Sequence, residues 1–138
     1  FVHRDFHVSN LMYFKNQIGL IDNQDALIGN KAYDLASLID DVRLKTNNKL
    51  KKKVFNYYLK TNKKINLKKF KEDFEILSIL RNLKIIGIFT RLAIRDKKTK
   101  YLKFIPYGWE LIKIRTKNNK KFSDLNELLK IIRKIKFQ

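Results

Sequence analysis

The spacing of the apolar residues changes near residue 34, and this change constrains the fold more than any other feature of the chain. Before it, two short apolar runs, Leu11–Phe14 and Ile18–Ile21, flank Lys15-Asn16-Gln17, the pattern of a β-hairpin. Phe1–His3 reads as the end of a short strand, Arg4–Ser9 as a polar loop, and Asp22–Lys31 as a second loop punctuated by Gly29 and Asn30. After it, the spacing is helical. Leu35, Leu38, Ile39 and Val42 share one face of a helix expected over Asp34–Arg43, with Asp34 at the dipole end that favours an anion. A second helix runs to about Lys60 with Val54, Tyr57 and Tyr58 as its apolar residues.

Asn62–Asn66 breaks the pattern, and Leu67–Asp96 forms one long helical region or two helices in series. Gly87 inside it suggests close packing, since an interior glycine costs about 1 kcal/mol against alanine. Lys97–Lys100 is a turn, and Pro106 suits the first turn of a helix ending near Thr116. Ser123 is placed to cap a last helix, with Leu125, Leu128, Leu129 and Ile132 inward. The chain therefore reads as mainly α with one small β-hairpin, and its 138 residues suffice for one domain.

Charge divides at almost the same place. Residues 1–43 hold four basic and six acidic residues, whereas residues 44–138 hold 28 basic and seven acidic ones. A formal net charge of +19 would ordinarily suggest nucleic acid. Only seven of the 32 basic residues are Arg, however, and Lys lacks the rigid fork suited to phosphate and base edges. Most of these lysines read as solvated helix faces, and nucleic acid is disfavoured as a partner. Without cysteine there is no disulfide framework, thiolate metal site or cysteine nucleophile. The longest apolar run, Ile85–Phe89, is far below the ~18 residues of a membrane span, so no membrane partner is expected. The first residue is Phe1 and the only methionine is Met12, so the chain is expected to begin in mid-sequence.

The chemistry-bearing residues concentrate in the acidic head. His3-Arg4-Asp5-Phe6-His7-Val8-Ser9-Asn10 sets Asp5 and Asn10 on one loop, and Asp22 ends the second hairpin strand. Phosphoryl transfer needs a carboxylate to orient the acceptor hydroxyl and take its proton. It also needs hard oxygen ligands that hold magnesium against the nucleotide phosphates. The hairpin Leu11–Ile21 folds the chain back, so Asp22 returns beside Asn10 and one shared metal site is geometrically reasonable.

His3–Asn10 matches in full the H-R-D-x-x-x-x-N catalytic-loop pattern of protein-kinase-like phosphotransferases. With Asn10-Leu11-Met12, Gly19-Leu20-Ile21-Asp22 and Tyr33-Asp34-Leu35-Ala36, the chain resembles the aminoglycoside phosphotransferase and choline kinase superfamily. Asp22-Asn23-Gln24-Asp25-Ala26 and the later segments Arg81–Phe89, Arg91-Leu92-Ala93, Arg95-Asp96, Tyr101-Leu102 and Pro106/Trp109 are similar to bacterial cell-wall amino-sugar kinases. These are the N-acetylmuramate/N-acetylglucosamine kinases, and the resemblance spans about residues 1–112.

The resemblance implies a fold, a reaction and roles. The fold is the C-terminal lobe of the protein-kinase-like architecture over residues 1–138. Residues 1–34 would be its catalytic and metal-binding segment, and residues 35–138 its helical subdomain. The N-terminal lobe, with its phosphate-covering loop and Lys, is absent and expected upstream. The reaction is transfer of the γ-phosphoryl group of ATP, with Mg2+, to a hydroxyl of a small molecule, an amino sugar of cell-wall recycling, in the cytoplasm. Asp5 would be the catalytic base, Asn10 and Asp22 the magnesium ligands, and His3 with Arg4 the support of the loop. Asp34 would be structural.

Other residues keep two readings at this point. His7 is a loop residue or a substrate contact, and Gln24 and Asp25 support the metal shell, touch the sugar, or have no role. Arg81 and Asn82 support the catalytic loop or form a solvated edge, and Trp109 is core or a sugar-stacking platform. Asn23 stands where the family carries an aromatic residue. A basic nucleic-acid-binding module and a non-catalytic kinase-like fragment remain the alternatives.

Overall fold

The computed structural model describes residues 1–117 and 119–134. Two strands, β1 (Leu11–Phe14) and β2 (Gln17–Leu20), pair antiparallel with Leu11 opposite Leu20 and Phe14 opposite Gln17. The loop between them is two residues long. Lys15 and Asn16 both have positive φ, 46° and 62°, the left-handed pair of the tight turn whose twist matches a hairpin. Val2 forms a single antiparallel bridge with Leu27, which closes the loop after the hairpin against the start of the chain.

Among the described residues five helices follow: α1 (Ala32–Ile39), α2 (Asn48–Thr61), α3 (Leu67–Ile94), α4 (Ile105–Thr116) and α5 (Ser123–Lys134), with a 3-10 segment over Thr99–Phe104. Asparagine begins several of them. Asn30 accepts the Ala32 N–H (3.0 Å), Asn47 that of Leu50 (2.8 Å) and Asn66 that of Lys69 (3.0 Å). Pro106 occupies the first turn of α4, as its fixed φ suits.

α3 is the spine of the molecule. Its first half buries Phe70 and Phe74 with Leu35, Ala36 and Ile39 of α1, against the partly buried Phe55 and Tyr58 of α2. Its second half buries Ile85 and Phe89 with Val42 and Leu111. Ile79 meets Ile112 and Leu129 in a third cluster, where Trp109 packs.

Several expectations change. α1 begins at Ala32 and stops at Ile39, because the next two residues, Asp40 and Asp41, turn buried carboxylates toward partners elsewhere in the chain. The region after Leu67 is one continuous helix. A Cβ added at Gly87 would meet nothing within 4 Å, so close packing does not explain that glycine. Among the helical glycines the tight one is Gly108, where a Cβ would lie 3.2 Å from Ile86 and 3.5 Å from Val42. Ser123 begins α5, but its hydroxyl bonds Asp124 (3.0 Å) and caps nothing. Tyr57 and Leu128 face solvent, 70% and 52% exposed, because the apolar stripes of α2 and α5 are narrower than their content of apolar residues.

Candidate active site

The polar loop of the acidic head is tied together by its own side chains. The Asp5 N–H donates to His3 Nδ1 (3.3 Å), and the other ring nitrogen of His3, Nε2, lies 3.1 Å from the Ile21 carbonyl oxygen. The two contacts assign the roles of the ring nitrogens: Nδ1 accepts and Nε2 faces a carbonyl acceptor. Buried His3 thus links Asp5 to Ile21, the residue that follows β2 and precedes Asp22. The Ile21 N–H donates to the Asn10 carbonyl (3.1 Å), an extra rung beyond the hairpin that sets Asp22 one residue from Asn10's partner.

Asp5 lies at the centre. Its side chain is 49% exposed, and each carboxylate oxygen has its own neighbour. His7 Nε2 is 3.2 Å from Oδ1, and Asn10 Nδ2 is 3.3 Å from Oδ2. The same Nδ2 also donates to the Asp5 carbonyl (3.0 Å). With the amide nitrogen of Asn10 engaged on both sides, its Oδ1 is the atom left to face a cation. His7 is buried. Burial and the nearby Arg43 charge lower its pKa, against the opposing pull of Asp5 and Asp41, and its Nε2 stands 3.2 Å from Asp5 Oδ1 as a close charge contact. Its Nδ1 is buried without a hydrogen-bond partner.

Two residues here hold left-handed backbone, Arg4 (φ 71°) and Asp22 (φ 65°). Such conformations cost of order 1–3 kcal/mol for non-glycine residues and persist only where surrounding contacts impose them. The contact that imposes the first is visible. Asp34, in the first turn of α1, accepts the main-chain N–H of His3 (2.7 Å) and that of Arg4 (3.0 Å). Asp34 was expected to serve its own helix terminus; it caps the loop instead.

Among the described residues no three His, Cys, Asp or Glu side chains gather into a metal cluster. The loop offers the amide oxygen of Asn10, and the Ile21–Asn10 main-chain bond brings the next residue, Asp22, with its carboxylate, back to the level of the loop; both donors are hard. That set fits magnesium, which keeps several waters and takes one or two protein oxygens plus phosphates.

The remaining candidates divide. Gln24 and Asp25 are exposed, and Asp25 offers only its carbonyl, 3.5 Å from Arg4 NH1. Arg81 and Asn82 are buried at 4% and 0% exposure, so the solvated-edge reading fails. Asn82 Nδ2 donates to the Ser78 carbonyl (2.9 Å), while Asn82 Oδ1 and Arg81 NH1 have no hydrogen-bond partner. Burial lowers the Arg81 pKa, while Asp41, Tyr33 and Asp5 act to raise it. Trp109 packs with the α3–α4–α5 cluster and lines an apolar groove of about 830 Å³ whose walls include none of residues 1–34. The sequence reading missed Asp40, Asp41 and Lys51 among polar residues of structural weight. Two consecutive acids after an apolar helix face were the available signal.

Comparison with known proteins agrees with this arrangement. Residues 1–68 match the model of the phosphotransferase enzyme family. The chain is 34% identical over 135 residues to the N-acetylmuramate/N-acetylglucosamine kinase of Pseudomonas aeruginosa, covering 94% of this chain and 40% of that protein. It is 38% identical over 112 residues to the protein of the same name from Neisseria meningitidis serogroup B (77% and 34%). With that of Caulobacter vibrioides it shares 32% over 114 residues (79% and 31%). The chain thus spans between about a third and two-fifths of the length of these curated relatives. By its loop, its hairpin and these matches, the chain is similar to the phosphotransferase enzyme family over residues 1–68 and to these kinases over most of its own length.

Proposed function

We propose that this chain is the catalytic-loop lobe of an ATP-dependent kinase that phosphorylates a hydroxyl of an amino sugar. The observation that carries the reading is the setting of Asp5. It is a half-exposed carboxylate held by His7 on one oxygen and Asn10 on the other, with Asp22 returned beside the loop by β2. The amino-sugar substrate rests on the relatives, which bear that activity in their names. Residues 1–34 carry the catalytic and metal-binding groups, and residues 35–138 form the helical subdomain beneath them. The glycine-rich phosphate loop and its Lys come from an N-terminal lobe outside residues 1–138. ATP as donor sets the reaction in the cytoplasm.

Asp5 accepts the proton of the attacking hydroxyl while holding that oxygen in line with the phosphoryl group. His7 and Asn10 fix the carboxylate so that one lone pair faces the acceptor. Asn10 Oδ1 and the Asp22 carboxylate would hold magnesium. When bound, the ion neutralises charge that develops on the transferred group. His3 keeps the loop and the end of β2 in register, so the base and the metal ligands move as one body.

Manganese titrated into the isotopically labelled chain tests the metal site directly. Paramagnetic broadening should centre on the amides around Asn10 and Asp22 and weaken sharply in Asp22→Asn. Broadening spread over the lysine-rich helices, or unchanged in the variant, would overturn the assignment.

A further inference from the structure

We propose that Asp41 is a positioning residue that holds the catalytic loop from beneath, at the end opposite the Asp34 clamp. The inference rests on the reading of residues 3–10 as that loop. Asp41 is 1% exposed. Its Oδ2 accepts the main-chain N–H of Val8 (3.2 Å), midway between Asp5 and Asn10. Its Oδ1 accepts the N–H of Arg43 (3.0 Å) and lies 3.2 Å from Arg43 NH1.

The adjacent Asp40 faces the other way. It receives Arg115 at 2.8 and 2.9 Å, Lys51 at 3.0 Å and Ser78 at 2.6 Å, which fix the end of α1 to α2, α3 and α4. One carboxylate therefore anchors the helical body and the next carries that anchor to the loop. Since Asp34 holds His3 and Arg4, the loop is pinned at both ends by residues at the two ends of one short helix.

A purely local role, closing the end of α1 through Arg43, accounts for only one of the two Asp41 oxygens. The buried Arg81 guanidinium supplies a second argument. It has no hydrogen-bonded partner at NH1, and Asp41 is the foremost charge that offsets its burial. Asp41 thus sits between the loop and a buried cation of α3, where its charge as well as its shape is in use.

Three variants of the full chain separate these roles: Asp41→Ala, Asp41→Asn and Arg43→Met. Amide hydrogen exchange reads the pin, and manganese affinity reads the placement of Asn10. In Asp41→Ala, exchange at Val8 should rise about tenfold or more and manganese should bind several-fold more weakly. Asp41→Asn, whose amide oxygen can still accept from Val8, should recover part of both. Arg43→Met, which keeps the Val8 bond, should leave both near the parent values. Equal effects of Arg43→Met and Asp41→Asn, or unchanged Val8 exchange in Asp41→Asn and Asp41→Ala, would overturn the proposal. If Asp41→Ala does not fold, Asp41→Asn against Arg43→Met decides. Absence of manganese at Asn10 and Asp22 in the parent chain would instead count against the proposed function, and Val8 exchange would still judge Asp41.

Discussion

Asp34 accepts the main-chain N–H of His3 at 2.7 Å, across 31 residues of sequence, and so ties the first helix to the start of the loop that carries Asp5. The same carboxylate takes the Arg4 N–H at 3.0 Å, where the backbone is left-handed. Replacing Asp34 with Ala strands the part-buried His3 donor and leaves the exposed Arg4 donor to water. Hydrogen bonds to a charged group contribute about 1.5–3 kcal/mol, so Asp34→Ala should lower stability by at least that much in urea unfolding. Asp34→Asn, which presents one carbonyl oxygen in place of two, should fall between.

Gly87 and Gly108 should respond in opposite directions. At Gly87 a methyl group enters open space within a helix, so Gly87→Ala should stabilise by about 0.5–1 kcal/mol. At Gly108 the added carbon meets Ile86 at 3.2 Å, so Gly108→Ala should cost about 1–3 kcal/mol through overpacking. Thermal melts of the two single variants check the contrast.

The Asp40 hub should be intolerant of single truncations. Arg115 binds it with two parallel bonds, and Asp40 has no exposure to recover water. Breaking a buried pair from one side costs about 3–5 kcal/mol because the remaining charge stays buried. Arg115→Met should show a loss of that order in denaturant unfolding.

The same hub predicts an acid limb of the stability profile. Burial works to raise the Asp40 pKa, but the Arg115 bond and charge, then Lys51 and Ser78, outweigh it and hold the carboxyl below its ordinary 3.8. The unfolded chain therefore takes up the proton at a higher pH than the folded one. The contribution of Asp40 is full above about pH 4 and is lost as pH falls through the folded value. Denaturant midpoints followed down to about pH 2 should show this loss, and Asp40→Asn should flatten it.

The elements whose signals are local were legible in the sequence. The hairpin follows from two apolar runs around Lys15-Asn16-Gln17, although Gln17 joins β2 and the turn is two residues long, and the later helices follow from 3.6-residue spacing and Pro106. The loop was legible because its residues stand close together in a fixed pattern. What periodicity could not show is which charge is buried and with what partner. Lys51 looks like its lysine neighbours, yet it is 6% exposed because Asp40 waits beneath it. α1 ends at Ile39 although Val42 continues its stripe, because Asp40 and Asp41 bond across 38 and 33 residues of sequence to Ser78 and Val8. Likewise Gly87 and Gly108 differ only in what neighbours them in space.

The central claim is that Asp5 is the base of a phosphoryl transfer. Its most direct test is the rate of transfer from ATP to N-acetylmuramate and N-acetylglucosamine by the full-length protein that carries this sequence, compared with its Asp5→Ala variant. Loss of a positioned general base should reduce turnover about 10²–10⁴-fold with an unchanged melting profile. Turnover within a few-fold of the parent in a folded Asp5→Ala protein would contradict the account.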